Sequence, residues 1–197
     1  MKTIWRTKPI NQAKSLPKIT LYNMRSIWSK LKNKANDMKE RSASISIINE
    51  LWMKEEDKEQ EDALKEIHEM DNVKAIVNPR KRKKRGGGVG FLQMEDDEDF
   101  SLEKVDVNIP KNLETLWAIL RLKRGTGQLS KIILCSFYCP PLATKKTKDE
   151  LITHIIETVH KLKLKYPAAG VIIAGDANKL QWENIIKHDK SLKGRGM

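Results

Sequence analysis

"VIIAGDANK", Val171–Lys179, sets four apolar residues ahead of a glycine and follows it with Asp176 and Asn178. The apolar run is short and rich in β-branched residues, so it reads as a buried strand. Its end is the informative part. A strand that closes on a carboxylate and then an amide is either making an ordinary turn, for which Asp and Asn are common choices, or carrying both groups to a site where strands give way to loops.

Other strands end in a similar way. "ITLYN" closes on Asn23, "SISIIN" is followed by Glu50, and "KIILCSFY" closes on Tyr138 just before Pro140 and Pro141, which stop it. The set holds two carboxylates and two amides. Mg²⁺ needs only one or two carboxylates, because it keeps water and takes substrate oxygens as ligands. A tyrosine hydroxyl can donate to a phosphate oxygen. Each residue alone has a bland role in a turn, a loop or the core. Their joint placement on successive strand ends favours a phosphate-handling site.

The remaining segments set the architecture. "IWSKLKNKANDMKE" places Ile27, Trp28, Leu31, Ala35 and Met38 on one helical face. "KEEDKEQEDALKEIHEM" is a charged helix whose thin apolar stripe is Ala63, Leu64, Ile67 and Met70. "KDELITHIIETVHKLKLKY" turns Leu151, Ile152, Ile155, Ile156, Val159 and Leu162 inward. "VKAIV", "VGFLQM", "LEKVDVNI" and "LETLWAILRL" read as strands, "EDDED" and "GTGQ" as turns, and "LQWENIIKH" as a last short helix. The order β-α-β-α, then a series of strands, then α-β-α fits neither regular βαβ alternation nor an all-β pattern. It predicts sheets packed face to face with helices outside, an α+β arrangement.

A chain of 197 residues suits one domain, here 18–197, behind a basic disordered leader at 1–17. The formal net charge of +12 favours an anionic partner. Two cysteines, Cys135 and Cys139, cannot staple a domain of this size and lack companions for a zinc site, which predicts a reducing compartment, nucleus or cytoplasm, rather than secretion. No apolar run is long enough to span a membrane. His68, His154 and His160 fall on helices and read as solvated.

In order and rough spacing, "NMRSIWSKL", "INELWM", "RGGGVGFL", "LWAILRL", "SFYCPP" and "VIIAGDANK" resemble the endonuclease/exonuclease/phosphatase superfamily, above all the endonuclease domains of non-LTR (LINE-type) retrotransposons. The resemblance runs from about Lys18 to the C-terminus. It implies a four-layer α/β sandwich of two mixed sheets flanked by helices. It also implies hydrolysis of a phosphodiester that nicks DNA, with Mg²⁺ (Mn²⁺ as second candidate) as cofactor. Carried over by position, Glu50 is the metal-binding glutamate and Asn23 supports metal and phosphate. Tyr138 contacts the phosphate, Asp176 positions or activates the nucleophile, and Asn178 binds the scissile phosphate.

The departures matter. Ala177 stands where the family pattern has an aromatic residue, and Leu51 where Thr is common. The family closes on a Ser-Asp-His segment whose counterpart is missing here. His188 and Asp189 are adjacent but in the wrong order. The resemblance therefore implies a domain lacking its last strands. Three readings stay open: a nicking endonuclease with a reverse-transcriptase domain as partner in its parent element, an inactive remnant that only binds nucleic acid, and a phosphatase acting on lipid or nucleotide phosphates.

The cationic run Lys81, Arg82, Lys83, Lys84 and Arg85, together with Arg25, supplies candidate contacts to a nucleic-acid backbone; the run also suits a nuclear-localisation tract. Gly86 to Gly88 lack the Lys-Ser/Thr of a nucleotide-binding loop and lead into a strand instead.

Overall fold

The acidic turn at 95–99 divides the chain into two sheets. The computed structural model describes residues 16–26, 30–53, 58–80, 86–123 and 130–180. Ahead of the turn, β1 (Ile19–Asn23), β2 (Ile45–Asn49), β3 (Val73–Asn78) and β4 (Val89–Met94) form a four-stranded sheet in the order β1-β2-β4-β3. Beyond it, β5 (Phe100–Lys104), β6 (Glu114–Leu122), β7 (Lys131–Tyr138) and β8 (Gly170–Asp176) form a second four-stranded sheet in sequence order. Both sheets are mixed. β1 runs parallel to β2, and β7 runs parallel to β8; the other pairs are antiparallel. Each parallel pair needs a crossover. These are α1 (Leu31–Glu40) and α3 (Lys145–Lys165), while α2 (Lys58–Asp71) joins β2 to β3.

Strand alternation generates the layers. Ile45 and Ile47 of β2, Leu116, Ala118 and Leu120 of β6, and Ile132 and Leu134 of β7 face one another in the core between the sheets. The opposite faces of β6 and β7 present Trp117, Ile119, Ile133, Cys135 and Phe137 to α3, whose Leu151, Ile155, Val159 and Leu162 are buried against them. On the other outer face, Ile48 and Leu92 meet Leu31, Ala35 and Met38 of α1. The result is helix, sheet, sheet, helix: the four-layer α+β sandwich expected. Thr144 caps α3, its hydroxyl accepting from the Thr147 N–H at 3.2 Å.

Several expectations need correction. β5 ends at Lys104 rather than running to Ile109: the Val105 N–H still donates to the Trp117 carbonyl at 2.9 Å, and Val105, Val107 and Ile109 pack on the α3-side core. β8 is half-exposed rather than buried. Among the described residues it has β7 on one side only, and Val171 is 38% exposed. His154 is buried instead of solvated: its ring meets Trp117 edge-on, and its Nε2 lies 3.1 Å from the Thr115 hydroxyl. Both cysteines are free and buried. Among the described residues no helix is long and apolar enough to cross a membrane. The leader up to residue 15, Ile27, Trp28, the 81–85 tract, the "GTGQ" turn and everything beyond Leu180, including His188 and Asp189, lie outside the described residues.

Candidate active site at the strand ends

β1, β2, β7 and β8 all finish at one edge of the sandwich. In β8 the approach depends on Gly175. A Cβ there would lie 2.0 Å from the Phe137 carbonyl oxygen and 2.7 Å from the Phe137 ring, so only glycine lets β8 run close along β7. That register sets Asp176 beside Tyr138. The next turn is tied down twice: the Cys139 N–H donates to the Asp176 carbonyl at 2.8 Å, and Asn178 Nδ2 donates to the Cys139 carbonyl at 2.7 Å.

The first sheet supplies the rest. Asn23 Nδ2 donates to Asp176 Oδ2 at 3.0 Å, across the gap between the edge strands. The Asn178 N–H donates to the other carboxylate oxygen at 3.1 Å. Asp176 is thus held by one group from each sheet, and the Asn23 amide oxygen is left as an acceptor. Behind them Asn49, buried at the end of β2, is oriented to donate to Ser136 Oγ and to the Phe137 carbonyl, both at 3.1 Å. This fixes the end of β2 against β7. Glu50 follows at once, with φ of 53°, and its carbonyl accepts from the Ser26 N–H at 3.0 Å.

Backbone strain gathers here. Arg25, Ser26, Glu50, Trp52 and Asn178 all have positive φ without being glycine. Such residues cost about 1–3 kcal/mol each and cluster where a site needs a particular shape.

Tyr138 is buried, and its phenol pKa is raised above 10.0. Burial is the largest cause; the Glu50 carboxylate raises it further, as do Asp176 and Glu114, while Arg80 opposes them. The hydroxyl therefore keeps its proton through neutral pH and is available as a donor. Its electrostatic neighbours include both candidate carboxylates.

Sequence reading missed a supporting group. Arg80 Nε pairs with Glu114 Oε1 at 2.9 Å, Arg80 Nη1 donates to the Gly86 carbonyl at 2.7 Å, and the Gly88 N–H donates to Glu114 Oε2 at 2.7 Å. Gly87 has φ of 80°, and a Cβ on it would lie 2.2 Å from Glu114 Oε2. The pair thereby clamps the glycine turn beside Tyr138. Arg80 precedes the Lys81–Arg85 run and Glu114 lies inside the strand candidate "LETLWAILRL", so neither stands out in the sequence.

The donor set suits a hard cation. Glu50, Asp176 and the Asn23 amide oxygen offer only oxygen, and among the described residues no group of three or more His, Cys, Asp or Glu is placed to hold a metal. Arg25 is exposed on the loop after β1; Lys81, Arg82, Lys83, Lys84 and Arg85 lie outside the described residues.

No family model matches the sequence, and no curated protein is similar to it in sequence. Solved structures are similar in fold. The endonuclease domain of TRAS1, a telomere-specific non-LTR retrotransposon, superposes with a TM-score of 0.53 at 15% identity, over 83% of this chain and 59% of that one. The 3' phosphatase NExo from Neisseria, bound to a product DNA hairpin, gives 0.52 at 16% identity, over 83% and 58%. D. rerio TDP2 with a single-strand DNA product gives 0.51 at 15% identity, over 86% and 64%. The chain has the endonuclease/exonuclease/phosphatase fold and spans about three fifths of the TRAS1 domain's length, 59%.

Proposed function

We propose that the strand-end site hydrolyses phosphodiesters in DNA, with Mg²⁺ as its cofactor and Mn²⁺ as a substitute, as the endonuclease domain of a retrotransposon-derived protein. The observation that carries this reading is the Asn23–Asp176 bond, which joins the ends of both sheets beside the Tyr138 phenol. The fold shared with TRAS1, NExo and TDP2 supports phosphodiester chemistry, and the DNA products in the NExo and TDP2 structures, with the net charge of +12 here, support nucleic acid as partner.

Glu50 and the Asn23 amide oxygen are the residues that would hold the cation. When bound, the cation would polarise the phosphoryl oxygen and stabilise the leaving oxygen. Tyr138 keeps its proton and donates to a non-bridging oxygen as charge builds there. Asp176, held by Asn23 and by the Asn178 N–H, is oriented to accept a hydrogen bond from the attacking water. Asn178 spends one amide N–H on the Cys139 carbonyl and keeps a second for the phosphate.

One observation favours a second reading, nucleic-acid binding without cleavage. Among the described residues no histidine belongs to the cluster: His68 pairs with Glu95 at 2.8 Å, His154 is buried beside Thr115, and His160 is exposed on α3. General acid–base help is typically worth about 10²–10⁴-fold. Nicking of supercoiled plasmid with Mg²⁺ separates the readings. Activity lost in both Glu50→Gln and Asp176→Asn supports the nuclease; salt-sensitive DNA binding by folded protein that never nicks supports the binder.

A further inference from the structure

β7 begins at Lys131 and ends at Tyr138, so at about 3.3 Å per residue its first residue lies about 23 Å from the strand-end site. Cations gather at that far end. Arg121 of β6 stands directly opposite Lys131 in the ladder, and by strand alternation both share the face that Trp117, Ile119 and Ile133 present to α3. Lys165 closes α3, and Tyr166 caps it. The Tyr166 ring joins the group. The Lys131 ammonium lies over it at 5.0 Å and the Lys165 ammonium at 5.4 Å, and Tyr166 is also an electrostatic neighbour of the Arg121 guanidinium.

Local needs account for little of this charge. Glu103 is a single carboxylate, bonded to Arg121 at 2.8 Å, and among the described residues neither lysine is ion-paired. The carbonyls just beyond α3 are served by another residue, Lys163, which donates to Pro167 and Ala169 at 2.6 and 2.8 Å. Like charges directly opposite across a ladder destabilise it, yet Arg121 and Lys131 hold that arrangement. We propose that this cluster is a second nucleic-acid-binding surface, which holds the sugar–phosphate backbone of a strand at the end of the sandwich opposite the strand-end site. It reads no sequence, because cations on phosphates position a strand without touching base edges. An anionic membrane also offers phosphates, but its grip grows with buried apolar area, and α3 adds only Leu164 as a largely exposed apolar side chain. The surface stands apart from the phosphodiesterase reading above.

The test is fluorescence anisotropy of a labelled oligodeoxycytidylate with the full chain, across a salt series. Lys131→Gln combined with Lys165→Gln should weaken binding about tenfold and flatten the slope of log affinity against log salt by about 1.4, from two phosphate contacts at about 0.7 each on a single strand. The charge-matched pair Lys32→Gln with Lys74→Gln, both exposed and both in the half of the chain that builds the other sheet, should leave binding nearly unchanged. Lys165→Glu alone, at an exposed position, should weaken binding as well, so misfolding of the first pair cannot produce the result. Equal losses in the two pairs, or an unchanged slope in the first, would overturn the surface and leave only the diffuse attraction of a +12 chain. Full oligonucleotide binding in the first pair, with binding to phosphatidylserine vesicles lost, would overturn it too and assign the cluster to a membrane. Whether the strand ends cleave is read separately, by the plasmid assay.

Discussion

Asn23 and Asp176 stand 153 positions apart in the chain, and the amide nitrogen of one lies 3.0 Å from the carboxylate of the other. Each closes a strand at the end of its own sheet's order, β1 in one and β8 in the other, so the bond is a clasp between sheets as well as a contact within the site. Replacing Asn23 with Ala removes a donor that orients Asp176. Plasmid nicking should fall by roughly 10²-fold, the usual scale for losing one preorganised donor, with unchanged far-ultraviolet circular dichroism. Undiminished nicking would separate the clasp from the chemistry.

Tyr138 ties the site to pH. Its phenol is pushed up first by burial and then by Glu50. Its hydrogen-bond donation is available below that raised pKa and disappears as pH climbs through it. Glu50→Gln removes one of the carboxylates that raise it, so the phenol should ionise at lower pH in ultraviolet difference titration. Tyr138→Phe should erase that titration and reduce nicking by roughly 10–10²-fold. A phenol that titrates identically in Glu50→Gln would show that the carboxylate is not its neighbour in solution.

Gly175→Ala tests how β8 is seated. The added methyl would meet the Phe137 carbonyl at 2.0 Å, so β8 must move off β7. Overpacking of this kind costs about 1–3 kcal/mol, readable as a lower urea midpoint. Because Asp176 is the next residue, nicking should fall further than the loss of stability explains.

His154 gives the fold an acid limit. Its pKa lies below 6.5, lowered mainly by burial, with Glu157 opposing the shift and Lys161 adding to it. Below about pH 6.5 the unfolded chain takes up a proton that the native state resists, so stability falls as pH drops through that value. His154→Gln keeps a partner for Thr115 and does not titrate. Urea midpoints on either side of pH 6.5 should differ less in the variant than in the parent.

Much of this was legible in the sequence, because strand alternation and helical periodicity follow directly from which residues must be buried. The interior residues of β6 and β7 and the Leu151, Ile155, Val159 face of α3 needed nothing more. What escaped depended on distant pairing. His154 sits on a helix that reads as amphipathic with or without it, and only Thr115 and Trp117 of β6 show why it is buried. The Arg80–Glu114 pair was hidden because its two members lie far apart in the sequence and meet only through the fold. The end of β5 at Lys104, with Val105, Val107 and Ile109 packed beside α3, depends on an apolar surface that no local pattern reveals.

The division at 95–99 has a consequence for how activity arises. Among the described residues the polypeptide passes from one sheet to the other once, and the candidate chemistry is shared across that passage: Asn23 and Glu50 before it, Tyr138, Asp176 and Asn178 after it. Neither half, as described, carries the whole candidate set. Catalysis would thus work as a coincidence detector, silent in any species whose halves have collapsed separately and switched on only by their correct reunion. A polypeptide nicked in that turn should recover cleavage whenever its two pieces find each other, which would make turnover a direct count of sandwiches assembled.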